Sequence, residues 1–479
     1  MALAILSEER RKWWTLAAVS FGLFMIMLDN TVVNVALPAI QEDLGADLSQ
    51  LQWIVTGYAL TFAALMLIGG KLADAYGRRL IFVVGIVVFT GASLWCGLSD
   101  SGEMLIAARV VQGAGAALMN PATLSIIAAT FPPRQRGMAI GIWAGVSALA
   151  LAIGPLVGGL LTEHLSWHWI FFVNVPVGVI AIAASYLLIT ESKDDTHESL
   201  DLPGLATSAL GLFALTYGLI EANEHGWTSA LILGSFAVAV LALTSFVVIE
   251  RRRRSPMLDL SLFRSGTYTG ANVAMLLVAL AMFGVFFFVS LYMQNVLGYS
   301  AVEAGAAFLP MTILIILIAP IAGKTTDRIG SRWLMTVGMT LIGGQLLYLS
   351  TVGIDASYRD ILPALLVGGV GMALTMTPSA AAAIRSVPVD KSGVGSAVLN
   401  SFRQVGGSMG IAVIGAIMAH EIGDLRGPAV YRQKELFVDG FSTALTVAAL
   451  IAVLGAVVSF ALVRAHDREP TPDGVPEVV

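Results

Sequence analysis

Three residues of this chain carry charge where charge is costly. Asp29 lies in the middle of the apolar run Phe21–Pro38, with Asn30 and Asn34 close by. Arg109 opens the segment RVVQGAGAALMNP, and Gln112 follows one helical turn later on the same face. Arg403 lies early in another apolar run, within NSFRQVGGSMGIA (Asn400–Ala412). Ionisable groups inside membrane spans are rare and usually functional. A low dielectric disfavours the charged form of a carboxyl, which suits a group that takes up and gives back a proton. Arginine stays charged in proteins, but it stabilises a nearby carboxylate, so Arg109 is a candidate to make Asp29 or another acid release its proton. The competing readings are a packing aspartate and an arginine snorkelling to the membrane face. Asn30 and Asn34, four apart, share a helix face, and Asp29 lies next to that face. Glu221 and Glu303 fall at the ends of apolar runs, within reach of headgroups or water.

The elements that hold these residues are membrane helices. The chain is 57% hydrophobic and 12% charged, whereas soluble domains carry about 25% charged residues. A crossing needs about 20 apolar residues. Fourteen runs qualify, from near 13–37 to near 440–463. The expected fold is therefore an all-α integral membrane protein with 14 transmembrane helices. An even number puts both termini on one side. With the N-terminus in the cytoplasm, most of the 27 Lys and Arg fall inside, and only Arg359, Arg426, Arg432 and Lys434 fall outside. That bias fits the positive-inside rule. The basic run Arg251–Arg254 reads as a topology anchor, or as a contact for anionic headgroups.

The chain also repeats itself. GKLADAYGRR (Gly70–Arg79) and GKTTDRIGSR (Gly323–Arg332) keep Gly, Lys, Asp, Gly and Arg at equal offsets, 253 residues apart. PPRQRG (Pro132–Gly137) and PVDKSG (Pro388–Gly393) echo each other as well. Parallel internal repeats mark transporters, with the site where the copies meet, so the Asp29 carboxyl is expected to face the seam of the two halves. The second loop arrives two spans late, so the expected organisation is six helices, two inserted helices, then six more. The divisions are residues 1–190 (an N-terminal six-helix bundle), 191–265 (inserted pair and cytoplasmic linker), 266–465 (a C-terminal six-helix bundle) and a disordered tail, 466–479.

Two further features bear on motion and on cargo. In GPLVGGLL, Gly154 and Gly158 are one turn apart and let another helix approach closely, while Pro155 removes a backbone donor and bends its helix. Gly406 and Gly410 repeat the spacing. Phe283, Phe286, Phe287, Phe288 and Tyr292 crowd one run with several methionines, a composition that makes adaptable apolar pockets. The candidates for a substrate cavity are thus Asn30, Asn34, Gln112, Phe283, Phe287, Tyr292 and Arg403.

Enzyme chemistry is not indicated. The six histidines are scattered, no HExxH occurs, and the single cysteine, Cys96, has no metal-spaced partner. GKT at Gly323–Thr325 lacks the earlier P-loop glycine, since position 318 is Ile. A net charge of −5 gives no reason to expect nucleic acid. No cofactor is expected, and the work would come from a proton gradient. One charge crossing 100 mV carries about 2.3 kcal/mol.

Read in order, LDNTVVNVALP, GKLADAYGRR, RVVQGAGAA, GPLVGGLL and WHWIFFVNVPVG (Trp167–Gly178) resemble the fourteen-helix drug:proton antiporter family of the major facilitator superfamily, the relatives of multidrug resistance protein B. The resemblance covers nearly the whole chain. It implies proton and cationic-substrate coupling at Asp29, with proton transfer tied to Arg109. It implies an inner gate at Gly70, Asp74, Gly77, Arg78 and Arg79, echoed at Asp327 and Arg332. In the superfamily this gate aspartate bonds across the repeat interface in the outward-facing state. Ser331 stands where the first loop has Arg78, a departure from the pattern. Gly154, Pro155, Gly158 and Gly159 would form the antiporter hinge. The implied protein is a monomeric multidrug antiporter of a bacterial inner membrane, exporting hydrophobic, often cationic compounds by alternating access. A dedicated exporter of one natural product, or a proton-linked uptake symporter, shares the same fold.

Overall fold

The computed structural model describes residues 8–193, 201–253, 256–387, 392–422 and 430–464. The tail 466–479, Arg426 and the first four residues of PVDKSG lie outside the described residues. Sixteen α-helices follow one another among them. The first group is α1 (Glu8–Leu44), α2 (Leu48–Tyr76), α3 (Arg78–Gly97), α4 (Gly102–Thr130), α5 (Pro133–His164), α6 (Trp169–Phe172) and α7 (Asn174–Leu188). Then come α8 (Leu202–His225) and α9 (Ala230–Arg252). The last group is α10 (Gly266–Leu291), α11 (Ala301–Ala307), α12 (Leu309–Ile329), α13 (Ser331–Leu349), α14 (Tyr358–Arg385), α15 (Ser392–Ile422) and α16 (Val430–Leu462).

Taking α6 with α7 and α11 with α12 as broken helices leaves fourteen helical units, not all of which have the length and hydropathy of a membrane crossing. Eleven helices among the described residues are long and apolar enough to cross a membrane, or up to 12 if the bent pair Leu48–Met66 and Ile68–Tyr76 is one span. The helices α5 and α13 are not in that set; α13 carries Arg332 and Gln345 among its nineteen residues.

Local chemistry explains the helix boundaries. Asp47 with Gln50 starts α2, Ser300 with Glu303 starts α11, and Ser357 with Asp360 starts α14, each as a reciprocal capping box. Glu303 is therefore a cap. The repeated loops break their helices at glycine: Gly77 has φ +121° between α2 and α3, and Gly330 has φ +82° between α12 and α13. A side chain disfavours that backbone region, which accounts for the recurrence of glycine at this offset.

Packing repeats along with sequence. In the first half α1 lies on α5, α4 on both α2 and α3, and α3 on α7. In the second half α10 lies on α15, α14 on both α12 and α13, and α13 on α16. The halves meet where α2 packs on α15, α5 on α11 and α12, and α1 on α10. The inserted helices α8 and α9 pack on each other, and α8 rests against α2 and α15. Glu221 fixes that attachment by accepting hydrogen bonds from Ser49 Oγ (2.7 Å) and Trp53 Nε1 (2.9 Å) of α2.

Candidate functional site

The central pair forms inside the first half. Arg109 Nη1 of α4 donates to Asp29 Oδ2 of α1 at 2.5 Å and to Gln112 Oε1 at 2.6 Å. Its Nε donates to the Ile54 carbonyl of α2 at 3.0 Å. Gln112 Nε2 donates to Asp29 Oδ1 (2.9 Å) and to Ser93 Oγ of α3 (2.7 Å). Asn174 Nδ2 of α7 reaches the same Ser93 oxygen at 3.3 Å. The guanidinium stacks on the Tyr58 ring, 4.2 Å from its centroid. Asp29 and Arg109 are each 1% exposed, so both charges are desolvated and compensate one another. Glycine makes the cluster possible. A Cβ at Gly113 would run into the Tyr58 carbonyl, so its absence lets α2 bring Tyr58 under Arg109.

A cavity of about 130 Å³ lies on the other side of α1, between the halves. Met27, Asn30, Thr31 and Asn34 line it from α1, at the i, i+3, i+4, i+7 spacing of one helical stripe. At about 100° per residue, Asp29 falls nearly opposite that stripe. The expectation of a carboxyl facing the seam is thereby corrected: Asp29 points into the first bundle, and α1 separates it from the cavity. Asn30 and Asn34 each spend one amide N–H on their own helix, on the carbonyls of Ile26 and Asn30. The second half contributes Phe283 and Phe286 of α10, Met372 and Met376 of α14, and Arg403 and Gln404 of α15.

Of the expected cavity residues, Asn30, Asn34, Phe283 and Arg403 are in place. Gln112, Phe287 and Tyr292 are not. Gln112 belongs to the ion cluster. Phe287 is fully buried against Phe288, with ring centroids 4.7 Å apart. Tyr292 stacks on Phe441 at 5.2 Å and donates its hydroxyl to the Gly353 carbonyl at 2.5 Å. Reading composition without helical phase put the two aromatic residues in the cavity, and Gln112 followed the placement of Asp29. Sequence reasoning missed Gln404, adjacent to Arg403, and the methionines of α14. Drug-sized pockets run to roughly 300–1,000 Å³, so the seam must widen to admit such a cargo.

The glycine motif lies at the seam. A Cβ at Gly154 would strike Thr31 of α1, and one at Gly158 would stand 2.7 Å from the Val32 carbonyl. Gly159 faces the second half, where a Cβ would meet the Ala301 carbonyl at 2.5 Å and Val302 Cα at 2.8 Å. Gly305 in turn packs on the Pro155 carbonyl. Glu163 Oε2 accepts the Val302 N–H at 3.0 Å and closes this end of the seam. Gly406 and Gly410 pack on α10 at the Leu276 and Leu280 carbonyls, the counterpart of Gly154 and Gly158 on α1.

The first loop is tied to its own half and, through Lys71 Nζ on the Pro256 carbonyl at 3.1 Å, to the linker. Asp74 pairs with Arg78 Nε at 2.9 Å and makes no bond across the halves among the described residues. The Glu191 carboxylate accepts the N–H groups of Arg79 (3.0 Å) and Leu80 (3.1 Å), capping α3, and Arg79 Nη1 donates to the Ile189 carbonyl. Gly70, in the last turns of α2, packs near Pro121 of α4. In the second loop Arg332 lies over the Phe460 ring, 4.0 Å from the centroid, and the side chain of Asp327 lies outside the described residues.

A family model described as Major Facilitator Superfamily matches residues 19–411. The chain is 39% identical to the tetracenomycin C resistance and export protein of Streptomyces glaucescens, over 87% of this chain and 77% of that protein. It is 35% identical to a puromycin resistance protein of Streptomyces alboniger, over 95% and 92%. Among solved structures it is similar to a bacterial homolog of the human lysosomal transporter Spinster, in an inward-facing and unoccupied conformation. There the TM-score is 0.67 at 18% identity, covering 95% of this chain and 97% of that one.

Proposed function

Because the chain belongs to the major facilitator superfamily, a multi-pass membrane transporter family, we propose that it is a proton-coupled exporter of antibiotics or other hydrophobic compounds. In this reading it works by alternating access across a bacterial inner membrane. It crosses fourteen times as a monomer, with both termini in the cytoplasm and two six-helix halves flanking the pair α8 and α9. The observation that carries the reading is the placement of two sites on opposite faces of one helix: the Asp29–Arg109–Gln112 cluster behind α1 and the apolar cavity before it.

The scheme follows from charge. Arg109 stays charged, so a proton arriving on an Asp29 oxygen removes the carboxylate that Nη1 holds. The tie between α1 and α4 weakens. The helix α1 then shifts on the glycine surface of α5, and its cavity face moves with it. The loss of that proton restores the pair. Coupling therefore runs through α1, without direct contact between Asp29 and cargo. The Asp74 loop and its mate act as the gate, and Gly154–Gly159 as the hinge. The names of the two Streptomyces relatives support antibiotic export, and they favour a narrow substrate range as a second reading.

Everted vesicles from cells making this chain should accumulate its substrates when energised. Nigericin, which collapses the pH difference, should abolish uptake. Valinomycin with potassium, which collapses only the voltage, should lower uptake in proportion to the net charge moved per cycle. Uptake insensitive to both ionophores sinks the proton-coupled reading. A resistance profile confined to one chemical class selects the dedicated exporter.

A further inference from the structure

The cavity holds one formal charge, and it is positive. Arg403 lines it, and no carboxylate lines it among the described residues. Arg403 Nε is buried without a hydrogen-bond partner, and no ion pair to this side chain occurs among the described residues. Its neighbour Gln404 is 1% exposed, lines the same cavity, and carries a buried Nε2 that is also without a partner. Two donors on consecutive residues of α15 thus lack acceptors at the rim of a mostly apolar space, whose other polar side chains are the uncharged Asn30, Thr31, Asn34 and Thr312. A buried donor left unsatisfied costs about 1–3 kcal/mol, more when it is charged. The Asp29 carboxylate cannot serve them, since it points the other way and is held by Arg109 and Gln112. Both donors want an acceptor, and a guanidinium prefers a planar anion.

We infer that the cavity selects cargo bearing a planar acidic group, such as a carboxylate, on an apolar aromatic body. Arg403 binds the anion, Gln404 donates beside it, and Phe283, Phe286, Met372 and Met376 hold the apolar part. The cationic preference implied by the sequence resemblance is thereby reversed. This deepens the efflux reading and rests on it for the direction of transport; the recognition itself does not depend on it.

Fluorescein and rhodamine 6G share a xanthene scaffold but carry opposite charge at neutral pH. Fluorescence anisotropy on the purified full chain in detergent should show fluorescein binding at least tenfold tighter than rhodamine 6G. Arg403→Gln should weaken fluorescein binding at least tenfold and leave rhodamine 6G within a factor of two or three. Arg403→Lys, which keeps the charge, should recover part of the loss and controls for folding. Equal binding of fluorescein to wild type and Arg403→Gln overturns the inference, as does tighter binding of rhodamine 6G or no fluorescein binding at all. The same dyes in energised everted vesicles separate the two claims. Fluorescein that binds through Arg403 but is never accumulated leaves anion recognition standing and removes the efflux reading.

Discussion

Arg109→Gln alone is expected to lower the stability of the folded protein by about 3–5 kcal/mol and to abolish pH-driven transport. The substitution strands the Asp29 carboxylate, 1% exposed, beside a neutral group. Asp29→Asn strands the guanidinium in the same way. The double variant Asp29→Asn with Arg109→Gln removes both charges at once, and replacing a buried ion pair by neutral groups of similar volume is often nearly neutral for stability. Its melting temperature should return most of the way to that of wild type. Transport should not return, because no carboxylate remains in the cluster to carry a proton. Melting can be followed with a thiol-reactive fluorophore, since Cys96 is the one cysteine and is fully buried until the chain unfolds. A double variant that regained pH-driven transport would assign the proton to some other group.

The second large effect concerns the seam. Gly159→Leu places a bulky side chain against the Ala301 carbonyl and Val302 Cα. That backbone has no room to yield unless α5 and α11 separate. Overpacking of this kind typically costs about 1–3 kcal/mol. Here much of it is relieved by opening the seam, so the protein should fold, favour the conformer open at this end, and transport at least tenfold more slowly. Spin labels on the exposed positions Leu160 of α5 and Glu303 of α11 report the separation directly. Wild-type transport with an unchanged label distance would remove Gly159 from the hinge.

The architecture was legible because its causes are local and repeated. Apolar runs longer than a bilayer form helices whatever their neighbours do, and two loops with glycine at one offset need the same positive φ at Gly77 and Gly330. The partnership of Asp29 with Arg109 was legible too, since two charges in oil must find each other. What the sequence withheld was helical phase. The helix α1 is apolar on nearly every side, so nothing in its pattern tells which face meets the cavity and which meets α4. Asp29 was placed at the seam for that reason, and Gln112 was drawn after it. Phe287 and Tyr292 were misplaced by composition, because an aromatic-rich helix does not announce which rings face inward. Gln404 left no signal except its place next to Arg403. Glu303, read at the end of an apolar run within reach of headgroups or water, is there because it caps α11 with Ser300.

The central claim is that a proton moves on and off Asp29 behind α1 while cargo occupies the opposite face. Proton release from the purified, lightly buffered protein on addition of a transported compound, followed with a pH indicator, tests it most directly. The account predicts that wild type releases protons in proportion to the bound compound, and that Asp29→Asn, fixed in the neutral state, binds the compound more weakly and releases none. Equal proton release from Asp29→Asn and wild type would contradict it.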